Sequence, residues 1–190
     1  MNNCKLFMIL VGCKPNGRHT EQHDVFFGIG ESVKELLPAV IAFWPEAKGK
    51  LHIDGYREVY KVGEHCITIA ERSSVQQEQQ LFFINLGGYK ENEFEEFHYK
   101  MLATGKDKNE ALRKAKATAF FKHTGFESAT AHSATSHIDD KYGVDVDDLA
   151  LIEEILPADM KERFTICIMP AVPGTPEDLI HLGYFKLTDF

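Results

Sequence analysis

Residues 6–12, LFMILVG, and residues 81–87, LFFINLG, are two versions of one pattern, and the likeness runs on in register at an offset of 75 for roughly thirty residues. Phe7 aligns with Phe82, Ile9 with Ile84, Gly12 with Gly87, Glu21 with Glu96, His23 with His98, Gly30 with Gly105 and Glu35 with Glu110. Ten further residues intervene before His52, Ile53 and Asp54 meet His137, Ile138 and Asp139. Self-similarity of this length describes a copied supersecondary unit. Whatever structure one passage adopts, the other has to be able to adopt as well.

The apolar, β-prone runs KLFMILVG and QLFFINLG predict well-covered strands ended by Gly12 and Gly87. HDVFFGIG and HYKMLATG predict second strands after polar connections. Helices follow. Ser32 precedes Glu35 by three residues and Asp107 precedes Glu110 by three, the spacing at which a cap oxygen accepts an orphan amide and an acid suits the first turn. Val33, Leu36, Leu37, Val40, Ile41 and Trp44 would form the inward stripe of the first helix, and Ala111, Leu112, Ala115, Ala119 and Phe120 that of a second helix over about 109–123. LHIDGYREVYKV and HCITIAE predict antiparallel strands turning near Gly63. DVDDLALIEEIL predicts an added helix, and FTICIMP a strand.

The expected fold class is α+β: a tandem duplication of a strand-strand-helix-strand-strand unit, with mostly antiparallel sheet covered by helices. Expected boundaries are 1–75 for the first repeat, 76–169 for the second with its inserted helix, and 170–190 for an extended C-terminal arm containing Pro170, Pro173 and Pro176.

The 190-residue chain is 44% hydrophobic with 14 Phe and 6 Tyr, enough to bury a core without disulfide staples. Cys4, Cys13, Cys66 and Cys167 lack the close spacing of a metal knuckle or redox pair, which suits a reducing, cytoplasmic setting. LFMILV reads as a strand rather than a secretion signal, and no run approaches the roughly 20 apolar residues of a membrane span. Net charge is −8, with seven acids and one Lys between Asp139 and Glu154 and no basic stripe, so neither nucleic acid nor membrane is an expected partner.

CKPNGRHTEQHDVFFGIG, a helix ending in FWPEA, and HIDGYREV together resemble the bacterial family known as domain of unknown function 1543. The likeness is close over about residues 5–70 and looser over 80–140. It rests on Gly12, Lys14, Gly17, Arg18, Glu21, His23, Phe27, Gly28, Gly30, Trp44, His52, Asp54 and Gly55, and it implies a two-copy member. The second passage keeps Gly87, Glu96, His98, Gly105 and His137 but has Tyr89, Asn92 and Glu93 in place of Lys14, Gly17 and Arg18, which allows one active and one structural copy.

The leading expectation is a small-ligand or protein-binding module. Lys14, Arg18, His19, Glu21, His23, His52 and Asp54 are its ligand-facing candidates. Its expected partners are an anionic small molecule or a protein, a homodimer included, and it assigns no cofactor or metal. The alternative is a metal-dependent hydrolase in which His23, His98 and His52 or His137 converge from both units, with Glu21 or Glu96 as general base. A third reading places thiol chemistry at Cys13, near Arg18 and His19. Phe26, Phe27, Phe43 and Trp44 are expected to cover the sheet.

Overall fold

The computed structural model describes residues 3–72, 77–89, 92–123 and 145–190. Their elements run β1 (Lys5–Cys13), β2 (Gln22–Gly30), α1 (Val33–Phe43), β3 (His52–Val59), β4 (Lys61–Val62), β5 (His65–Glu71), β6 (Gln80–Tyr89), β7 (Glu96–Gly105), α2 (Lys108–His123), β8 (Asp145–Leu151), α3 (Ile152–Ile155), α4 (Ala158–Arg163), β9 (Phe164–Pro170) and β10 (Ile180–Lys186). Every strand pairing is antiparallel, and the fold is α+β. No described helix is long and apolar enough to cross a membrane.

The chain divides into two units, residues 1–77 with 153–190, and residues 78–152. Unit 1 contains a four-stranded sheet in the order β10-β3-β1-β2 and a three-stranded sheet in the order β4-β5-β9. Along β1, Phe7, Ile9, Val11 and Cys13 alternate onto one buried face, as a period of two requires. Gly28, the partner of Phe7, lets Leu36 of α1 approach that face. In α1 the buried stripe is narrower than expected: Val33, Leu36 and Val40 are buried, whereas Ile41 is 42% exposed. Phe26 and Phe27 are buried, and Phe43, although 41% exposed, meets Phe26 edge to face.

Unit 2 is a three-stranded sheet, β7-β6-β8, carrying α2. Phe82, Ile84 and Leu86 form its core with Ala111 and Ala115. The small helix residues matter because α2 lies tight against the strand end: a Cβ on Gly105 would stand 2.7 Å from the Ala111 nitrogen. Both helix starts have their acid bonds. The Glu35 amide donates to Ser32 Oγ and the Glu31 amide to the Glu35 carboxylate; the Glu110 amide donates to Asp107 Oδ1 and the Lys106 amide to Glu110.

Several expectations change on folding. Gly12 and Gly87 lie inside β1 and β6 rather than ending them. DVDDLAL is strand β8, not a helix: β6 takes a partner on each side, and pairing brings Val146, Leu149 and Leu151 against the core, leaving only Ile152–Ile155 helical. FTICIMP, expected within the second repeat, pairs with β5 of unit 1. The C-terminal segment, expected as an extended arm, supplies edge strand β10 beside β3. It is latched there by Asp178, which accepts hydrogen bonds from the amides of Tyr60 (3.2 Å) and Lys61 (2.9 Å). Residues 137–139 and the side chains of 119 and 120 lie outside the described residues.

Phe82 is 1% exposed, so Phe82→Ala is expected to cost about 3–5 kcal/mol. Denaturant unfolding checks this, and an unchanged midpoint would reject the core role. Lys114 donates to the Glu110 carboxylate, and this bond, followed by that from the Lys106 amide, lowers the Glu110 pKa from 4.5 to about 2. A depressed acid stabilises the fold above its unfolded pKa and loses that contribution as pH falls through the folded one. Glu110→Gln should therefore lower the thermal midpoint at neutral pH, with the gap to the parent narrowing below about pH 5; a gap independent of pH would contradict the assignment.

Candidate metal centre

The central strand of the unit 1 sheet brings the chemistry together by register. On β1, Gly12 pairs with His23 of β2 on one side and with His52 of β3 on the other, so the two imidazoles flank a residue without a side chain. Glu21 precedes His23 by two residues and shares its side of the ribbon. Asp54 belongs to the same group through a bulge: Leu10 pairs with Gly55 and Val11 with Ile53, leaving Asp54 as the extra residue. His23 and Gly28 are five residues apart on β2, so this face is opposite the one that α1 covers.

The donors are close. Glu21, His23 and His52 offer ligand atoms within 4.8 Å of one another. Asp54 Oδ2 is 3.1 Å from His23 Nε2 and 3.2 Å from His52 Nε2, while the Glu21 carboxylate reaches His52 Nε2 at 3.2 Å and His23 Nε2 at 3.7 Å. A first-row cation holds N and O donors at about 2.0–2.2 Å, which sets neighbouring donors about 3.0 Å apart in an octahedral shell and about 3.4 Å apart in a tetrahedral one. The observed edges fall at this spacing.

Hydrogen bonding alone accounts poorly for the group. Each Nε2 carries at most one hydrogen, yet each faces two carboxylates. Among the described residues, buried His52 Nε2 and Asp54 Oδ2 make no hydrogen bond although they are 3.2 Å apart. Buried polar atoms in that condition need another partner.

Gly12 is the space that permits the arrangement. A Cβ there would stand 2.3 Å from His52 Nε2 and 2.4 Å from Asp54 Oδ2. The His52 side chain is 7% exposed and stacks on Tyr184 of β10 at 4.4 Å, whereas Glu21 and His23 are 44% and 40% exposed. One side of the group is therefore held by packing and the other is open to solvent.

Of the ligand-facing candidates, the fold brings together Glu21, His23, His52 and Asp54. Lys14, Arg18 and His19 are exposed on the connection from β1 to β2, and the ion pairs of that group run among Glu21, His23, His52 and Asp54. Their loop turns at Gly17, whose φ of 82° suits the third position of a turn closed by the Arg18 amide on the Pro15 carbonyl. Cys13 is 1% exposed; burial pushes its thiol pKa up, with Glu21 adding to the effect, which opposes the thiolate that the thiol reading needs.

Within unit 1, His23 and His52 share Asp54, and within unit 2 His98 Nε2 lies 3.3 Å from Asp147 Oδ2. Gly87 pairs with Asp145 as Gly12 does with His52, and His137 lies outside the described residues. Tyr184 and Asp147 were missed by sequence reasoning. Tyr184 carried no signal, but Asp147 could have been found by aligning HIDG with DVDD.

The model of the family described as Domain of Unknown Function (DUF1543) matches residues 18–69, which include Glu21, His23, His52 and Asp54. The crystal structure of a protein Il1583 from Idiomarina loihiensis is similar over 97% of each chain, with a TM-score of 0.63 and 21% identity, a likeness of fold alone. No curated protein matches.

Gly12→Ala is expected to fold while displacing His52 and Asp54, since alanine is otherwise no worse than glycine in a strand. Its signature would be cation affinity reduced by more than about tenfold with far-UV circular dichroism preserved. Unchanged affinity would show that the close approach at Gly12 does not shape the group.

Proposed function

Taking residues 18–69 as a member of the DUF1543 family, we propose that unit 1 is a metal-dependent binding module holding a divalent transition cation of the zinc class through Glu21, His23, His52 and Asp54. The observation that carries this reading is the set of donor separations, 3.1 to 3.7 Å, around two imidazoles and two carboxylates. Imidazole donors favour Zn, Ni, Cu and Fe over Mg or Ca.

The exposed side formed by Glu21 and His23 admits a further ligand. Lys14, Arg18 and His19 lie on the loop leading directly into Glu21, and their positive or hydrogen-bonding groups suit an anionic small molecule there. A copied structural unit accounts for the shared offset of 75, since Gly12 pairs with His23 and Gly87 with His98.

Hydrolysis is the second reading, favoured by the exposure of Glu21. In that reading His23, His52 and Asp54 would hold the cation, which would supply an acidified water, and Glu21, kept out of the ligand set, would be placed to accept a proton. The chain itself contributes orientation through the strand register and the His52–Tyr184 stack.

The test is zinc titration of chelator-treated, tag-free protein, read by elemental analysis after dialysis. The parent should retain one more equivalent than a folded His23→Ala, His52→Ala double variant. Equal zinc in the two proteins would remove the unit 1 site, and with it the hydrolytic reading.

A further inference from the structure

We infer that unit 2 holds a second, non-equivalent cation site, built from Glu96, His98 and Asp147, whose relative preference for an oxygen-preferring divalent ion such as Mn2+ over Zn2+ is higher than that of the first site. The three residues offer ligand atoms within 4.8 Å of one another, and His98 Nε2 lies 3.3 Å from Asp147 Oδ2, again the length of a coordination edge. The inference extends the unit 1 reading but rests on different side chains.

The strand geometry is an independent observation. His98 pairs with Gly87 on β6, and Glu96, two residues earlier, shares its side of the ribbon. The β6–β8 register shifts between Asn85 and Leu86, pairing them with Asp148 and Val146 and making Asp147 the extra residue of a bulge. Gly87 lies beneath it: a Cβ there would stand 2.4 and 2.7 Å from the two Asp147 carboxylate oxygens. Buried Asn85 donates from Nδ2 to Asp148 Oδ2 at 3.2 Å, tying down the residue beside the bulge. A glycine clearance and a bulge thus bring an imidazole and a carboxylate together, as they do in unit 1.

The chemistry of the two groups differs. Unit 1 offers two imidazoles and two carboxylates, whereas the described unit 2 group has one imidazole and two carboxylates. Fewer nitrogen donors reduce the advantage of zinc-class ions and suit the carboxylate and water coordination of Mn2+. Among the described residues Glu96, His98 and Asp147 are all exposed, whereas His52 is buried and stacked on Tyr184, so this group is less preorganised and binds more weakly. The surrounding sequence supplies negative potential, with Asp145, Asp147 and Asp148 in one strand.

Mn2+ binding to the tag-free, chelator-treated full chain, followed by loss of the free-ion electron paramagnetic resonance signal, tests the inference. His98→Ala and Asp147→Asn should each weaken one class of Mn2+ site by more than about tenfold, while zinc retention at the other class persists. His98→Gln, with circular dichroism on every variant, separates lost ligation from lost folding. Mn2+ isotherms unchanged in all three folded variants would overturn the site, and a ratio of Mn2+ to Zn2+ affinity no higher than at unit 1 would overturn its selectivity. Failure of the unit 1 reading would appear separately, as zinc retention unaffected by the His23→Ala, His52→Ala double variant.

Discussion

The candidate centre depends on β1 lying between β2 and β3 with no side chain at Gly12. Antiparallel pairing brings the backbones of His23 and His52 to either side of that residue. Any Cβ at position 12 would occupy the place where His52 Nε2 and Asp54 Oδ2 now stand. Backbone hydrogen bonds set the register, the glycine leaves the volume, and side chains from two different strands fill it. The carboxylates and imidazoles thereby come within 3.1–3.7 Å of one another, while buried His52 Nε2 and Asp54 Oδ2 have no hydrogen-bond partner among the described residues.

A bulge supplies the remaining direction. In regular β3 pairing every residue would have a partner on β1, but the shift between Leu10 and Val11 leaves Asp54 unpaired and beside His52. β8 carries the corresponding shift at Asp147, beside His98. The outer strand β10 has its own irregularity, between Leu182 and Phe185, and there Tyr184 stacks on His52. Three local departures from regular pairing therefore set where Asp54, Asp147 and Tyr184 stand, while the regular stretches bury Phe7, Ile9, Phe82 and Ile84.

Much of the scaffold was legible from local pattern. The alternation and β-propensity of KLFMILVG and QLFFINLG indicated strands, and Ser32 with Glu35 and Asp107 with Glu110 marked two helix starts that carry the expected bonds. The acidic run DVDDLALIEEIL misled, because its apolar residues also fit a helical stripe and only pairing with β6 selects the strand. In the tail, three prolines suggested an extended arm; Asp178 and the edge of β3 instead dock the following residues as β10. Glu21, His23, His52 and Asp54 stood out as candidates in the sequence, but their convergence did not, since His23 and His52 are 29 positions apart.

The sequence by itself determined β1, β2, β6 and β7, the two capped helix starts, the presence of glycine at positions 12 and 87, and the donor chemistry available to the chain. These depend on local propensity and residue type, which neighbours along the chain already specify. Tertiary structure decided which donors meet, that Asp147 takes the bulge position on β8 that Asp54 takes on β3, that β9 and β10 join unit 1, and that Tyr184 lies on His52. Those outcomes depend on strand register and bulges, which arise only when distant segments exchange backbone hydrogen bonds.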